Sequence, residues 1–590
     1  MKNFLPISAQ ELKEKRWDAP DIIIVTGDAY VDHPSYGAAL IGRVLEGAGF
    51  RVGIISQPDW HRLDDFKRLG RPKLFFGVTA GNLDSMIANY TANKKVRNID
   101  DYSPGGKPRL RPDRATILYV NKLKEAFKDV PIVIGGMEAS MRRLAHYDYW
   151  SDKVRRSLLL DSKADILVYG MGEKQMLEIA GRMKTGEPIN GISDVRGTVI
   201  VRKSLDGIKG CINIPSFEDV SSDKKRFNEA FKAAYLESDP VRGKPIAQKH
   251  ADRFIIQHPP ALPLTQEEMD NTYSLPFMRD WHPSYSKMGG VPGFESVRNS
   301  IISHRGCAGA CNFCSLYLHQ GRIVQSRSID SIVKEVRLLA GSSTFKGTIT
   351  DIGGPTANLY NAACQLWGSQ GACRDKKCLV PQKCPNLKLG YEYSIRLWRE
   401  LKKIPNVKHV FVGSGVRFDL LTDPHADKYL NELCTEHVSG QLKVAPEHCV
   451  DSVLELMNKP KFGIYEKFID KFENINKRLG KKQYLVNYFI VGHPGARLED
   501  ALQMALYLAK NRIHPEQVQD FIPLPMTVSG AMYYTEIDPF TGKEVYVTKK
   551  PSERTMQRAL LQYKNPQNRV FVRKALKILG REDLKKVFSG

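Results

Sequence analysis

Residues 305–314 read Arg305-Gly306-Cys307-Ala308-Gly309-Ala310-Cys311-Asn312-Phe313-Cys314, and this stretch is the most informative feature of the chain. Its three cysteines have a C-x3-C-x2-C spacing, and thiolates this close can bind three irons of a [4Fe–4S] cluster. No fourth cysteine follows at short spacing, so the fourth iron is left open to a small molecule with an amino group and a carboxylate. The alternatives are a zinc site that lacks a ligand and a chance cluster of buried thiols, although zinc motifs more often use two distant C-x2-C pairs.

A second motif, Asp351-Ile352-Gly353-Gly354-Pro355, ends the predicted strand that follows the cysteines. Two glycines at a strand end let the backbone approach a ligand closely and present its N–H and C=O groups. A Gly-Gly-Pro turn is weak evidence by itself. Its position after the cysteine motif makes it a candidate ligand loop.

Together with the aromatic Phe313 before the last cysteine, these motifs resemble those of the radical S-adenosylmethionine (SAM) enzymes. The resemblance implies a [4Fe–4S] cluster on Cys307, Cys311 and Cys314, with SAM bound at the open iron and cleaved reductively to a 5′-deoxyadenosyl radical. In that family a Gly-Gly-Glu-like loop holds the SAM amino group. This chain has Pro355 where the acid often stands, so only Gly353 and Gly354 carry over.

The two next strand-end loops, 411–417 and 442–448, flank the SAM ribose and carboxylate by the same resemblance. Four of their side chains have chemistry suited to that contact: Ser414, Arg417, Lys443 and Glu447. Ordinary loop polarity explains each of them almost as well.

The composition favours an anionic partner. The 590 residues include 88 Lys and Arg against 65 Asp and Glu, a formal charge of +23, and residues 546–590 alone carry +9 from 12 basic and 3 acidic residues. Nucleic acid is the first candidate partner, and a basic but merely soluble enzyme is the alternative. No long apolar run or secretion signal is found, so we expect a cytoplasmic protein without a membrane partner.

The N-terminal part, Asp21–Gly181, alternates strand-like and helix-like segments, which predicts a doubly wound, Rossmann-like parallel sheet. It loosely resembles cobalamin-binding domains, whose cobalt-ligand motif is D-x-H-x-x-G. Here Asp32 and His33 are adjacent, so the histidine falls one residue early. We therefore expect His33 to be an ordinary loop histidine and do not expect cobalamin.

From Val297 onward the strand and helix rhythm resumes, in roughly six units that would form the partial (β/α)6 TIM-type barrel of radical SAM cores. The predicted fold class is thus α/β, with a Rossmann-like, cobalamin-domain-like sheet, this barrel and a short basic C-terminal extension. The predicted domains are 1–186 for the sheet, 187–291 for a connector with small β and helical elements, 292–545 for the barrel and 546–590 for the extension.

Further segments resemble those of the radical SAM methylthiotransferases and their relatives, namely Leu456–Pro460, Phe489–Gly495 and Pro523–Thr527. With Gly135-Gly136-Met137-Glu138-Ala139-Ser140 in the N-terminal part, the chain looks like the YgiQ family of bacterial radical SAM proteins, which has no assigned reaction. The resemblance covers nearly the whole chain. It implies the cofactor and leaves the substrate open.

A second group of cysteines follows the Gly-Gly-Pro motif: Cys364, Cys373, Cys378 and Cys384. Four thiols within 21 residues of a predicted loop can make a four-cysteine zinc site or an auxiliary iron–sulfur cluster. The spacing matches neither convention cleanly, and unligated thiols remain the alternative. The remaining cysteines, at positions 211, 434 and 449, are isolated.

The favoured function is C–H activation by a radical SAM enzyme, with RNA modification the favoured use. A cobalamin-assisted radical methyl or alkyl transferase is the alternative. A non-catalytic iron–sulfur or redox-sensing protein is the alternative from another class. The expected partners are SAM, a one-electron donor such as flavodoxin or ferredoxin, and RNA.

Overall fold

The computed structural model describes residues 3–588, which form two compact units. The first unit extends to Arg298 and includes the short segments Leu318–Gly321 and Gly368–Gly371, and the second unit contains the rest. Residues 1, 2, 589 and 590, which belong to the first and last predicted domains, lie outside the described residues.

The first unit is built on a nine-stranded sheet. Its strands are apolar runs such as Ile22-Ile23-Ile24-Val25, all buried, as expected for parallel strands covered on both faces. In chain order they are β1 Ile22–Thr26, β2 Val52–Ser56, β3 Phe75–Thr79, β4 Ile132–Gly135, β5 Ile166–Val168, β6 Thr198–Arg202, β7 Ile212–Ile214, β8 Ile246–His250 and β9 Arg253–Gln257.

The spatial order of the strands is β7-β8-β9-β6-β5-β4-β3-β1-β2. Strands β1 to β5 are parallel, so the doubly wound sheet predicted from the sequence is confirmed. The carboxyl ends of β1 and β3 are adjacent where the strand order reverses, which is where such sheets bind ligands.

The predicted connector 187–291 is not a separate element, and this part of the sequence interpretation is corrected by the structure. Strand β6 pairs antiparallel with β5, β9 pairs antiparallel with both β6 and β8, and β7 pairs parallel with β8. Val199 and Ile200 are buried in this extension of the sheet. The connector therefore belongs to the first unit because its strands hydrogen-bond to the same sheet.

Helices cover the faces of this sheet. The helix Lys224–Leu236 begins where the carboxylate of Asp223 accepts hydrogen bonds from the N–H groups of Lys225 and Arg226, a stabilising cap. The other helices of the unit are Ala9–Glu14, Gly37–Gly47, Asp64–Lys67, Ser85–Asn89, Ala115–Ala126, Gly136–Met141, Leu158–Ser162, Glu173–Lys184, Phe217–Ser222, Gln266–Tyr273 and Pro292–Glu295. Two antiparallel strand pairs, Val31–Asp32 with Asp280–Trp281 and His146–Asp148 with Lys153–Arg155, complete it.

The second unit contains parallel strands in barrel order. They are β10 Ser300–Ile302, β11 Thr348–Ile349, β12 Asp351–Gly353, β13 His409–Val410, β14 Gln441–Glu447, β15 Tyr484–Val491 and β16 Val518–Asp520. Strand β10 pairs with β12, β11 with β13, β14 with β15 and β15 with β16, all parallel. Since β11 and β12 are successive parts of one strand, these are six strand positions, and the predicted barrel is confirmed.

Helices lie between these strands, as the predicted alternation requires. They are Ile329–Ala340, Tyr391–Lys402, Asp427–Glu432 with a π-helical turn Leu433–His437, Asp451–Met457, Phe462–Leu479 and Leu498–Lys510. The longest of them, the 18-residue helix Phe462–Leu479, buries Phe468, Phe472 and Ile475, which have helical spacing.

The chain closes with Val528–Thr535, Pro551–Leu561 and Arg569–Ile578. The last two occupy the predicted basic extension, which packs as part of the second unit through Leu560, Ala575 and Leu576. Two short helices, Leu316–Gln320 and Trp367–Gln370, include residues of both units. No helix between residues 3 and 588 combines the length and the apolar composition needed to cross a bilayer.

Candidate iron–sulfur and SAM site

The cysteine motif forms a loop directly after the short strand His304–Arg305, beyond the carboxyl end of β10. The loop begins at Gly306, whose φ is +83° and where a Cβ atom would collide with the carbonyl oxygen of Ile323. The N–H of Cys314 donates to the carbonyl of Cys311 at 3.0 Å. Glycine is therefore needed where the chain leaves the strand, and the loop then turns back on itself.

The three thiols lie close enough to influence one another. Burial is the largest cause that raises the pKa of Cys314 to about 12, and the neighbouring thiols Cys311 and Cys307 contribute to this rise. None of the ten cysteines, all of which are described, forms a disulfide. Three neighbouring thiols in a mostly buried loop fit the donor set of a [4Fe–4S] cluster with one open iron.

Asn458 clamps this loop. Its side-chain N–H group donates to the carbonyls of Ala310 at 2.8 Å and Gly309 at 3.1 Å. In return Asn312 donates through its backbone to Met457 and through its side chain to Leu456, both at 2.9 Å. Asn458 has a φ of +55°, a left-handed conformation that asparagine tolerates better than most residues.

Two buried cations lie beside the thiols. The guanidinium Nη1 of Arg417 is 3.7 Å from the Cys311 sulfur, and Arg417 is paired with Asp419 at 2.7 Å. Burial raises the pKa of Cys311, while Lys459 and Arg417 lower it. Positive charge at this position stabilises thiolates and therefore suits metal ligation.

Lys459 connects the thiols to Glu447. Its ammonium donates to the carbonyl of Ala445 at 2.6 Å and lies 3.8 Å from the Glu447 carboxylate. Glu447 is buried, and burial raises its pKa, while Lys459 and Arg417 lower it. The predicted residues Arg417 and Glu447 thus lie in one charged group with Lys459, which the sequence interpretation did not select.

The two glycines of the Gly-Gly-Pro loop are required by close packing of the protein itself. A Cβ at Gly354 would lie 2.6 Å from the His304 carbonyl oxygen, and one at Gly353 would lie 2.8 Å from Cβ of Ser414. The carbonyl of Gly353 accepts from the backbone N–H of Ser303 at 2.8 Å. A side chain at either position would therefore displace neighbouring barrel residues as well as obstruct a ligand.

The other two predicted side chains, Ser414 and Lys443, are not buried as Arg417 and Glu447 are. The Asp351 carboxylate accepts from the N–H groups of Gly413 at 2.8 Å and Ser414 at 2.9 Å, and from the Ser414 hydroxyl. Burial raises the pKa of Asp351. Lys443 is exposed. The Ser414 hydroxyl thus orders the loop by bonding to Asp351, a residue that the sequence interpretation overlooked.

His493, in the motif that follows β15, packs against the cysteine loop. Its ring lies edge-on to Phe313 at 6.1 Å, and its Nε2 is hydrogen-bonded to the Ser529 hydroxyl at 2.7 Å. Ser529 in turn donates its N–H to the carbonyl of Asn312 at 2.9 Å. Two of the methylthiotransferase-like segments, Leu456–Pro460 and Phe489–Gly495, therefore contact the cysteine motif. Their resemblance was the signal in the sequence that could have identified Asn458, Lys459 and His493.

The other candidate residues lie elsewhere. Cys364, Cys373, Cys378 and Cys384 all belong to the second unit. His33, in the first unit, is fully buried against Phe294, accepts from the N–H of Ser35 at 3.1 Å and has no partner for Nε2 among the described residues. It is a buried histidine in the loop after β1.

Three family models cover nearly the whole chain. Residues 4–300 match Radical SAM N-terminal, 301–508 match Radical SAM superfamily, and 516–586 match a domain of unknown function, DUF3362. A UPF0313 protein of Clostridium botulinum (strain 657 / Type Ba4) is 52% identical over 582 residues, which is 99% of this chain and 91% of the relative. A UPF0313 protein of Methanocella arvoryzae is 53% identical over 578 residues, 98% and 96% of the two chains.

Among solved structures, the cobalamin-dependent SAM radical enzyme OxsB with aqua-cobalamin bound has a TM-score of 0.51 at 10% identity, covering 98% of this chain and 77% of that chain. The radical SAM methyltransferase TsrM from Kitasatospora setae has a TM-score of 0.48 at 15% identity, covering 86% and 75%. The likeness to OxsB shows a shared fold.

The expectation against cobalamin is wrong in the light of these comparisons. It depended on the single misplaced histidine, His33. OxsB, which shares the fold, is described with aqua-cobalamin bound, and the N-terminal part of this chain matches the Radical SAM N-terminal model. The spacing of one short motif therefore does not exclude this cofactor.

Proposed function

Because the chain belongs to the UPF0313 family, which is the YgiQ family, and is a radical SAM enzyme, we propose that Cys307, Cys311 and Cys314 hold a [4Fe–4S] cluster with SAM at its open iron. The cofactor pair would supply a 5′-deoxyadenosyl radical for abstraction of hydrogen from an unactivated C–H bond. The observation that carries this proposal is the group of three neighbouring thiols held beside buried Arg417 and Lys459.

The residues around the thiols would position the cofactors and exclude water. Asn458 holds the backbone of the cysteine loop, and Arg417 contributes positive charge next to Cys311. The loops that contain Gly354 and Ser414 lie at the carboxyl ends of barrel strands, where this architecture binds its ligands. Glu447 and Lys459 are the charged side chains suited to the amino and carboxylate groups of SAM.

The test is SAM cleavage by the full-length protein under anaerobic conditions. With dithionite and SAM, the wild-type protein should form 5′-deoxyadenosine, and the variant with all three cysteines replaced by Ala should form none above background. Cys211→Ala is a matched control, because Cys211 is isolated in the first unit. Product formation by the triple variant would refute the assignment of these ligands.

We favour flavodoxin or ferredoxin as the electron donor. We favour RNA as the substrate, and the support for RNA is the formal charge of +23 and the basic C-terminal region. Comparison of modified nucleosides from total RNA of a deletion strain and its parent should reveal one that is lost on deletion and restored by the intact gene. Identical nucleoside profiles would argue against this substrate.

A cobalamin-assisted methyl or alkyl transfer is the second candidate, because the chain shares its fold with OxsB. Anaerobic protein mixed with hydroxocobalamin and passed through a desalting column should then retain about one cobalamin per chain, with a shifted visible spectrum. Full loss of the cobalamin on the column would remove this candidate and leave the first proposal intact.

A further inference from the structure

The second cysteine group lies on an excursion of the chain, residues 363–388, and its four cysteines belong to the second unit. Its ends are joined by the antiparallel pair Ala363–Cys364 with Leu387–Lys388, in which Cys364 faces Leu387. Within the excursion, the N–H of Cys384 donates to the carbonyl of Cys378 at 2.8 Å, and the N–H of Leu387 donates to that of Cys384 at 3.1 Å. Cysteines separated by up to 20 positions in the sequence are thereby held in one small fold.

Three of the four thiols border one apolar cluster. Cys378 is 8% exposed and packs with Leu379 and Leu387 in an apolar cluster, against which Cys364 and Cys384 also pack. Free thiols in such surroundings add no stability by lying close together, whereas the ligands of one metal centre must lie close together.

Positive charge surrounds these thiols. Arg322 donates to the carbonyls of Cys373 at 3.1 Å and Lys376 at 3.3 Å. Residues 372–388 contain five basic side chains and one acidic one. Four thiolates would carry four negative charges, so this excess of cations fits an anionic metal centre.

A single metal ion and an iron–sulfur cluster require different spacings of their thiolates. Thiolates around one zinc ion lie roughly 3.8 Å apart, since Zn–S bonds are about 2.3 Å in tetrahedral geometry. Within residues 3–588, no three His, Cys, Asp or Glu side chains converge closely enough to hold one metal ion. This holds for the Cys307 group as well. An iron–sulfur cluster accepts wider spacing, because each thiolate can bind a different iron.

We infer that Cys364, Cys373, Cys378 and Cys384 bind an iron–sulfur cluster of their own, in addition to the one proposed at Cys307. Both cysteine groups border the same apolar cluster, because Cys307 and Cys384 each pack against it beside Leu379 and Leu387. The inference is independent of SAM cleavage, since it concerns metal content alone.

The experiment measures iron, sulfide and zinc in full-length protein purified anaerobically from iron-supplemented cells. The variant Cys307→Ala/Cys311→Ala/Cys314→Ala should retain at least about two irons per chain with matching sulfide, and should give an electron paramagnetic resonance signal on reduction. This variant leaves the second group untouched, so it tests the inference even if changes at the second group prevent folding.

A complementary variant replaces Cys364, Cys373, Cys378 and Cys384 by Ala, and its iron content should fall to about four per chain. Cys434→Ala, which changes a buried cysteine outside both groups, should keep the wild-type iron content. Iron-free protein from the first variant, or about one zinc per chain in place of the iron, would overturn the inference.

Discussion

At the residue scale, the site depends on side chains that serve the backbone of the cysteine loop. Asn458 satisfies the carbonyls of Gly309 and Ala310, and Gly306 permits the turn that starts the loop. Arg417 and Lys459 offset the cost of placing thiolates in a buried environment. The spacing of the cysteines is thus necessary for the site, and these neighbours determine its conformation.

Asn458→Asp should weaken cluster retention with little change in overall shape. The new carboxylate would face two carbonyl oxygens in place of a donor, at a cost of about 1–3 kcal/mol. Iron content after anaerobic purification should fall, and 5′-deoxyadenosine formation should decrease by about tenfold or more, since about 1.4 kcal/mol corresponds to a factor of ten. The control is Asn431→Asp, where the side chain bonds only to its own helix and to Arg478. Equal iron and activity in both variants would contradict a clamping role.

At the element scale, the helix Arg569–Ile578 offers an amphipathic surface. Val572, Ala575 and Leu576 are buried, whereas Arg569, Arg573, Lys574 and Lys577 are exposed. Val570 is 71% exposed and Ile578 is 59% exposed, so apolar side chains are interspersed with the cations. Such a surface suits contact with phosphates and bases, and a solvated helix face is the alternative.

Neutralising the four exposed cations of this helix to Gln should weaken binding of total RNA and flatten its salt dependence. The slope of log affinity against log salt should decrease by about 0.7 to 0.9 for each RNA phosphate that the variant no longer neutralises. Filter retention from low to moderate salt measures this. The matched control changes Lys13, Lys225, Lys334 and Lys467, exposed on other helices. The helix is not an RNA surface if wild-type protein retains no RNA at low salt, or if both quadruple variants give the wild-type slope.

At the scale of the whole molecule, buried neutral histidines make stability depend on pH. Burial is the largest cause of the lowered pKa in each of five: His146, His448 and His493 at about 3, and His250 and His304 at about 4. In the unfolded chain their pKa returns to about 6.5. Below that value the unfolded state binds more protons, so stability must fall as pH falls, by up to about 1.4 kcal/mol per pH unit for each histidine.

We therefore expect the melting temperature of cluster-free, chelator-treated protein to decrease from pH 7 to pH 5. The carboxyl of Asp28, whose pKa burial raises to about 6, opposes this trend. The carboxyls of Asp32, Asp351 and Glu447, whose pKa burial also raises, act in the same direction as Asp28. His493→Gln should reduce the slope of melting temperature against pH, whatever its effect on absolute stability. Thermal melts at closely spaced pH values measure both slopes. A melting temperature that is constant or rises on acidification would show that these imidazoles are not held neutral.

The sequence alone determined what depends on short-range pattern: the spacing of the cysteines, the alternation of strands and helices in both units, and the family, which the comparisons confirmed. Only the tertiary structure showed that Asn458 and Lys459 reach the cysteine loop, that the connector strands extend the first sheet, and that the two cysteine groups border one apolar cluster. Periodicity and spacing report local conformation. Pairing between residues 100 or more positions apart, such as Asn458 with Ala310, is decided by how the elements pack and leaves no mark in local sequence.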